Sequence, residues 1–282
     1  MKVEAFIRGP SMRHPQPNSR VLALARACNA KIRQRDEGIV GDPDFIIHAA
    51  IKPEKSKAIR DAIERNIPVL VAEHGYFGSR LHNMSLGWNG INNRAIRPDP
   101  MRKPRPEPFL HRWKPKNTVK RVLLPLQTPG DASLEGVDIA DWARKTEKRI
   151  KSQFPDCTVD IRPHPLTCTS DLVPIKATLR DYDLVCTYSS NSGVDAVSMG
   201  VPATADSPMS MIWGIDNRSM WDWSLSREKD IREEVREQWA HWLSYCQWSE
   251  DESGKAIEFM LRALPEARET GFENLYVPKE AV

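Results

Sequence analysis

Two short motifs carry the residue types best suited to holding a phosphate group. The first is Arg162-Pro163-His164-Pro165, and the second is the hydroxyl-rich run Ser189-Ser190-Asn191-Ser192-Gly193. Arginine and histidine donate hydrogen bonds to phosphate oxygens, and serine hydroxyls add donors beside the free N–H groups of a helix start. The chemistry expected of the pair is therefore anion binding, with capping of the helix as the structural alternative for the serines.

The elements around these motifs predict that the two loops lie side by side. Residues 156–161 alternate apolar and polar side chains like a half-buried strand, and the prolines that follow leave His164 on a loop. Residues 183–187 predict the next strand, and Val194–Met199 predicts a helix ended by a glycine. Ligands of open α/β sheets bind outside the carboxyl ends of the strands, where both loops would be.

A basic, proline-rich stretch separates two α/β halves. Between Arg94 and Arg121 there are ten Lys or Arg residues against two acids, a local excess of +8 in a chain of net charge +3. Its prolines exclude a long helix and predict an extended linker. Phe109 and Trp113 lie among these charges, so the stretch could follow the phosphates of a polyanion. The alternative is a solvated linker whose aromatic rings pack against a domain.

Alternating strand and helix patterns predict a parallel sheet in each half. The predicted strands are Val3–Arg8, Phe45–Ala49, Val69–Ala72, Arg121–Leu126, Thr158–Ile161 and Leu184–Thr187, and the predicted helices are Ser19–Arg33, Pro53–Asn66, Ile139–Gln153 and Val194–Met199. The fold class expected is α/β with two domains, 1–112 and 113–255. A C-terminal helix and tail, 256–282, would pack back on the first. The last quarter is helical and Trp-rich, and its stripe of Trp239, Trp242 and Leu243 predicts core packing.

Composition narrows the class of protein. A chain of 282 residues can form two such domains, and its five cysteines lack the CxxC spacing of zinc sites. It has no long apolar run and no signal-peptide pattern. We therefore expect a cytoplasmic protein with no membrane partner, located in the host cytoplasm if it is phage-encoded.

Several short runs resemble a known group of enzymes. The resemblance is to capsule-polysaccharide Kdo transferases, and it lies in Glu73-His74-Gly75-Tyr76-Phe77, Gly87-Trp88-Asn89-Gly90, Arg97-Pro98-Asp99-Pro100 and Leu124-Pro125-Leu126-Gln127. His164-Pro165 and Ser189-Ser190 are similar to the "HP" and "SS" motifs of bacterial sialyltransferases. The tail from Arg236 to Ser249 is similar to a segment of the same broad group, including phage-encoded glycosyltransferases.

The resemblance implies a GT-B glycosyltransferase, in which two Rossmann-like domains face a cleft. The second domain would bind a nucleotide-sugar donor, a UDP-sugar or CMP-sugar, through Gln127, Arg162, His164, Ser189, Ser190, Asn191, Ser192 and Asp195. The first would bind the acceptor through His74, Tyr76, Arg80, Trp88, Asn89 and Arg94. Asp195 stands where relatives commonly carry Glu, a position suited to ribose hydroxyls.

Sugar transfer to an alcohol needs a base for the hydroxyl proton and charge stabilisation for the departing phosphate. Glu73 follows an apolar strand at its carboxyl end and is the predicted general base. His164 is the second predicted catalytic residue, and it would stabilise the departing phosphate. His74 is an alternative base, and loop anchoring is the structural alternative for Glu73.

Metal ions and cofactors are not needed by this scheme. The D-x-D strings Asp42-Pro43-Asp44 and Asp181-Tyr182-Asp183 are typical of a turn and a strand start. We therefore expect a metal-independent enzyme whose only small-molecule requirement is the nucleotide-sugar co-substrate.

The acceptor favoured by the basic linker and the phage-like tail is duplex DNA carrying 5-hydroxymethylcytosine or a similar hydroxymethylated pyrimidine. Base flipping would expose the hydroxymethyl oxygen, with Trp88, Phe109 or Trp113 stacking in the gap. The alternatives are a Kdo-type glycosyltransferase acting on a capsule or other glycan, a non-catalytic nucleotide- or DNA-binding module, and a nucleotide-sugar epimerase.

Overall fold

The structure is a computed structural model that describes residues 1–8, 19–80, 82–103, 105–112, 118–168, 173–213, 215, 229–273 and 275, without the side chains of 229–232. The chain forms two compact units. Unit 1 comprises Met1–Lys103 and Ser244–Val282, and unit 2 comprises Pro104–Leu243. Unit 2 is therefore an insertion in the sequence of unit 1. Trp113 and the rest of 113–117 lie outside the described residues.

Ten strands and eight α-helices are described. In chain order they are β1 (Val3–Ile7), α1 (Ser19–Ala27), β2 (Lys31–Gln34), β3 (Phe45–His48), α2 (Lys57–Glu64), β4 (Val69–His74), β5 (Asn83–Trp88), β6 (Arg121–Pro125), α3 (Ile139–Gln153), β7 (Thr158–Arg162), α4 (Ile175–Thr178), β8 (Leu184–Thr187), α5 (Ser192–Ser198), β9 (Ala203–Ala205), α6 (Lys229–Cys246), β10 (Gln247–Ser249), α7 (Ser253–Met260) and α8 (Leu264–Thr270).

Both units contain the same arrangement of four parallel strands. In unit 1 the sheet order is β10-β5-β4-β3-β1-β2, and in unit 2 it is β7-β6-β8-β9. Strands β1 to β4 pair in parallel, as do β6 to β9, so each unit has the 2-1-3-4 order of doubly wound folds. Unit 1 then adds β5 and β10 as antiparallel strands. The predicted α/β class with two Rossmann-like units is confirmed.

Burial explains the central strands. Strand β3 is buried along its whole length, and the first four residues of β4 are buried too. Continuous apolar runs of this kind are expected where helices cover both faces of a parallel sheet. Ser56 caps α2, since its hydroxyl accepts from Ile59 N–H, and Asp138 caps α3 through Ala140 and Asp141 N–H. These caps fix where α2 and α3 begin.

One predicted helix is wrong over its last six residues. The sequence predicts a helix over Ser19–Arg33, whereas α1 ends at Ala27 and Lys31–Gln34 forms strand β2. The helix stops because Asn29 adopts a left-handed φ of 52°, which asparagine tolerates at helix ends. Strand β2 is an edge strand with mostly exposed side chains, so it lacks the apolar pattern that would have marked it.

The C-terminal segment belongs to the first unit. The predicted boundaries were 1–112, 113–255 and 256–282, but residues from Ser244 onward fall in unit 1 because β10 pairs with β5. Helices α7 and α8 contribute Phe259, Met260 and Ala267 to the same hydrophobic core as Leu24 and Trp88. The Trp-rich stripe is core packing at two of its three residues, since Trp239 and Leu243 are buried, whereas Trp242 is half-buried.

Candidate functional site

His164 lies on the loop directly after β7, as the sequence predicts. Its Nδ1 accepts a hydrogen bond from Leu166 N–H at 3.2 Å, and the half-buried ring starts a short 3₁₀ turn. A lone pair that accepts cannot also carry a proton, so the neutral ring holds its proton on Nε2. The loop therefore presents an imidazole N–H donor at the carboxyl end of the sheet of unit 2.

Arg162 helps to hold that loop. One Nη2 proton of the guanidinium is donated to the carbonyl oxygen of Val173, which lies just before α4. The guanidinium keeps its charge and its other donors, because a single backbone contact uses only part of the fork. Arg162 is thus both a loop anchor and a positive charge near His164.

Gln127 and Ser189 are committed to a buried network. Gln127 Nε2 donates to Ser133 Oγ at 2.7 Å, and Gln127 Oε1 accepts from Ser189 N–H at 3.1 Å. Ser189 Oγ donates to the Ser133 carbonyl at 2.8 Å. Both side chains are buried, which gives them a supporting role behind the two loops, and their direct contact with a donor stays a prediction. They join the loops after β6 and β8, where the strand order of unit 2 reverses.

The accessible hydroxyls of this turn belong to Ser190 and Ser192. Both are half-buried, Ser190 Oγ accepts from Ser192 N–H at 3.2 Å, and the two hydroxyls lie 3.1 Å apart. Asn191 precedes α5, and its side chain makes no capping bond. Helix α5 has only seven residues, so its dipole is a small contribution. A ligand at this turn would be held mainly by hydroxyls and by the neighbouring cations.

Asp195 is a buried carboxylate with a lysine partner. It is 4% exposed, and its Oδ1 lies 3.2 Å from Nζ of Lys176, whose side chain is half exposed on α4. The contact ties α4 to α5 and compensates the negative charge. A ribose hydroxyl would therefore meet Asp195 with this lysine already in place. The ribose role implied by the resemblance stays a prediction.

In unit 1, Glu73 and His74 end strand β4. Glu73 is half-buried and His74 is exposed, and Nη1 of Arg20 from α1 lies 2.6 Å from His74 Nδ1. Arginine can only donate, so Nδ1 accepts and the ring proton is on Nε2. The 3.4 Å approach of Nδ1 to the Arg80 carbonyl is then not a hydrogen bond, because both atoms are acceptors. This occupied lone pair makes His74 the weaker candidate base.

Arg20 is surrounded by acidic groups. Burial lowers the pKa of its guanidinium, while the charges of Glu73 and Glu250 act in the opposite direction. Ser19, its neighbour on α1, donates to Glu250 Oε1 at 2.6 Å. The start of α1 therefore brings one cation to two carboxylates and an imidazole. No sequence pattern indicated Arg20, since only the tertiary fold places α1 beside the end of β4.

The loop after His74 is fixed by the C-terminal strand. Gln247 Oε1 accepts from Tyr76 N–H at 2.6 Å and from Phe77 N–H at 3.1 Å. A side chain at Gly75 would place its Cβ 2.7 Å from that same oxygen, which explains the glycine of the motif. Gln247 thereby holds the backbone that follows the candidate base.

Three predicted acceptor residues have structural roles, because their side chains are buried and hydrogen-bonded within unit 1. Trp88 is fully buried, donates Nε1–H to the Met260 carbonyl at 2.8 Å and meets Phe45 edge to face. Asn89 accepts from Val69 N–H and donates to the carbonyls of Ala267 and Gly271. Tyr76 is 1% exposed, and burial raises the pKa of its phenol.

The remaining acceptor candidates are the half-buried arginines Arg80 and Arg94. Arg80 Nε donates to the Tyr76 carbonyl at 3.1 Å, and Arg94 lies in the 3₁₀ turn Asn92–Arg94. Arg97 has an anchoring role that the sequence did not reveal. Its guanidinium donates to the carbonyls of Leu86 and Asn92 at 2.5 and 2.6 Å and to the Tyr76 hydroxyl.

The acidic strings behave as turn and strand-start residues. Asp183 Oδ2 accepts from Lys120 and Arg121 N–H at 2.7 and 2.9 Å, and Asp44 Oδ2 accepts from Lys2 N–H. Among the described residues, no group of three or more His, Cys, Asp or Glu is placed to hold a metal ion. Metal independence stays a prediction.

Within the part of the chain that the structure describes, none of the helices has the length and apolar character needed to cross a bilayer.

Comparison with known proteins gives structural likeness only. No protein-family model matches this sequence, and no curated protein is a significant match. One similar solved structure is KpsC of Thermosulfurimonas dismutans described as a beta Kdo 2,4 transferase, with 19% identity, a TM-score of 0.49 and coverage of 72% of this chain and 78% of that one. Another, described as KpsC beta Kdo 2,7 transferase of the same organism, has 14% identity, a TM-score of 0.43 and coverage of 73% and 78%. Likeness at this level does not establish an activity.

Proposed function

We propose that this chain is a glycosyltransferase that moves a sugar from a nucleotide-sugar donor to a hydroxyl group of a glycan. The observation that carries the proposal is the location of its motifs. Glu73-His74 forms the carboxyl end of parallel strand β4, and His164-Pro165 follows the carboxyl end of parallel strand β7, in separate Rossmann-like units. Ligands of such sheets bind at that end. The order of these motifs along the chain resembles that of capsule-polysaccharide Kdo transferases.

In the proposed mechanism, unit 2 holds the donor. His164 donates its Nε2 proton to the departing phosphate, and the hydroxyls of Ser190 and Ser192 add further hydrogen bonds. Arg162 and Lys176 supply positive charge, which favours the leaving group as its negative charge develops. Gln127 and Ser189 act indirectly by fixing the two loops in position.

Unit 1 supplies the base. Glu73 removes the proton from the acceptor hydroxyl as the anomeric carbon becomes cation-like. A carboxylate suits this role because it has no proton of its own to lose at neutral pH, and the positive Arg20 favours that ionised form. Arg80 and Arg94 are the nearby cations that could bind an acidic group of the acceptor.

A glycan acceptor agrees better with the structure than DNA does. Trp88, one of the aromatic residues expected to stack in a gap left by a flipped base, is fully buried, and Arg97 of the basic stretch is bound to backbone carbonyls. One observation favours the hydroxymethylated-DNA reading. Phe109 is 76% exposed within the basic stretch and meets His111 edge to face. DNA is therefore the second candidate acceptor.

A transfer assay read by mass spectrometry tests the proposal. The purified chain is incubated with UDP-sugars and CMP-sugars, including CMP-linked sugar acids, and with either an oligosaccharide panel or duplex DNA containing 5-hydroxymethylcytosine. A mass gain equal to one sugar on an oligosaccharide supports the glycan reading, and a gain on the modified nucleoside transfers the assignment to DNA. Nucleotide binding without any transfer indicates a binding module, and sugar conversion without an acceptor indicates an epimerase.

Matched variants separate the role of Glu73 as general base from the role of His164 in donor binding. We expect Glu73→Gln to lower kcat by about a hundredfold or more while leaving donor binding intact, because removal of a general base acts on the proton transfer. The control Glu64→Gln removes an exposed carboxylate at the end of α2 and should change nothing. His164→Ala should weaken donor nucleotide binding. The control His82→Ala removes an exposed histidine and should leave donor binding unchanged. Unchanged transfer in Glu73→Gln would remove that residue from the mechanism.

A further inference from the structure

The start of α1 brings a side chain to the end of β4 that none of the motifs contains. Arg20 lies on the first turn of α1, and its Nη1 is 2.6 Å from Nδ1 of His74. The guanidinium is half-buried, and the charges of Glu73 and Glu250 act to raise its pKa. We propose that Arg20 is a positioning residue of the acceptor half of the site, holding the His74 ring in one tautomer and placing a positive charge beside Glu73.

The hydrogen bond determines the state of the ring. Guanidinium has five N–H donors and no acceptor, so the short contact requires an unprotonated Nδ1 on His74. Protonation of that nitrogen would break the contact and set a second cation against Arg20. The ring of His74 therefore keeps its proton on Nε2. This N–H can donate a hydrogen bond to the hydroxyl oxygen of the acceptor substrate, but it cannot remove the proton of that hydroxyl.

The same charge acts on the carboxylate. Glu73 raises the pKa of Arg20 against the lowering effect of burial, and the interaction is mutual, so Arg20 favours the ionised form of Glu73. Among the described residues, other charged or titratable groups near this position include Glu250 after β10, Tyr76 and Arg80 on the loop after β4, and His82, whose carbonyl oxygen accepts from Glu250 N–H. Ser19 holds Glu250 at 2.6 Å, which keeps this second carboxylate near the guanidinium.

Three substitutions separate the two effects. Arg20→Gln retains an N–H donor for His74 but loses the charge, Arg20→Lys retains the charge but loses the planar fork, and Arg20→Met loses both. The control is Arg26→Gln, which removes an exposed arginine from the same helix. Thermal unfolding of each variant identifies any that do not fold.

The first measurement does not depend on transferase activity. Nitrogen chemical shifts of ¹⁵N-labelled histidine in the full chain report the tautomer of His74, assigned by comparison with His74→Gln. We expect an unprotonated Nδ1 and a protonated Nε2 in the native chain and in Arg20→Gln, and a mixture of tautomers in Arg20→Met. An unchanged tautomer in a folded Arg20→Met protein would overturn the positioning role.

The second measurement rests on the proposed function. The rate of transfer falls at low pH as Glu73 becomes protonated, and loss of the neighbouring cation makes that protonation easier. Arg20→Met and Arg20→Gln should therefore move the acid limb of kcat/KM to higher pH by about one pH unit, while Arg20→Lys restores it. An acid limb that stays in place in both neutral variants refutes the charge role. If no donor supports transfer, the proposed function fails, and the tautomer measurement alone decides the role of Arg20.

Discussion

Replacement of Asn89 by alanine is expected to destabilise unit 1 without affecting a ligand contact. Asn89 is 2% exposed, and its side chain makes three hydrogen bonds of 2.7 to 2.8 Å, from Val69 N–H and to the carbonyls of Ala267 and Gly271. Alanine leaves a buried N–H and two buried carbonyl oxygens without these partners. At about 1 kcal/mol or more for each, the lost hydrogen bonds cost about 3 kcal/mol, and alanine in the left-handed backbone of this position adds about 1 kcal/mol.

A second asparagine supplies a matched control. Asn66 has nearly the same left-handed φ, 50° against 54° for Asn89, and it also donates to α8, through the Arg268 carbonyl. It is exposed, however, and this bond is single. Asn66→Ala should therefore cost about 1 kcal/mol, most of it from the left-handed backbone. The difference between the two variants isolates the buried hydrogen bonds.

Hydrogen exchange read by mass spectrometry measures unit 1 by itself. Peptides covering β4 should exchange roughly a hundredfold faster in Asn89→Ala than in Asn66→Ala, since the difference of about 3 kcal/mol corresponds to two orders of magnitude. Peptides from unit 2 should be unchanged. If β4 exchanges equally in the Asn66 and Asn89 variants while acceptor KM rises only in the latter, Asn89 is a ligand contact and the structural assignment is refuted.

Three further outcomes follow from buried or constrained positions. Burial lowers the pKa of His48 to about 4. Below pH 6.5 the unfolded chain therefore binds a proton that the folded chain does not. The free energy of unfolding should fall by about 3 kcal/mol as the pH is lowered from 6.5 to 4. Denaturation at pH 7 and pH 5 should show a smaller change in His48→Gln, and an equal change would contradict this. Gly200→Ala should destabilise unit 2 more than Gly130→Ala does. Both glycines have φ near 75°, but only at Gly200 would the added Cβ lie 2.2 Å from the Arg112 carbonyl oxygen. Equal shifts of the thermal unfolding temperature in the two variants would contradict this prediction. Gln127→Ala should lower the free energy of unfolding of unit 2 by about 2 kcal/mol, because the buried Ser133 and Ser189 lose their hydrogen-bond partner. The donor Kd, measured on the folded fraction, should stay within a factor of about three. A larger loss of affinity at unchanged stability would make Gln127 a ligand residue.

The sequence predicted the inner parallel strands but missed the edge strand β2 and the antiparallel strand β10. Central strands such as β3 and β8 are continuous apolar runs, and this pattern identifies them without tertiary information. Strand β2 was missed because an edge strand with exposed side chains has no such run. Strand β10 was missed because its pairing with β5 joins residues about 160 positions apart, which no local pattern reports.

The candidate site was predicted at the level of loops rather than contacts. His164 follows β7 as expected, whereas Glu73 lies within the last two residues of β4, which is two residues longer than the predicted strand. The motif residues Trp88 and Asn89 were expected at an acceptor, yet they stabilise the core, since a motif does not distinguish a residue that touches a ligand from one that shapes the scaffold. Arg20 carried no signal because its partners come from distant parts of the chain.

The interrupted sequence of unit 1 has a consequence for folding during synthesis. Trp88 and Asn89 are translated long before Met260 and Ala267, whose carbonyls they need, and β5 waits for β10. Until those residues leave the ribosome, the first hundred residues expose an unfinished core. Unit 2 is contiguous, so it can fold earlier, the reverse of the N-terminal-first order usual for multidomain chains. A nascent chain stalled before β10 would then be the species most in need of a chaperone.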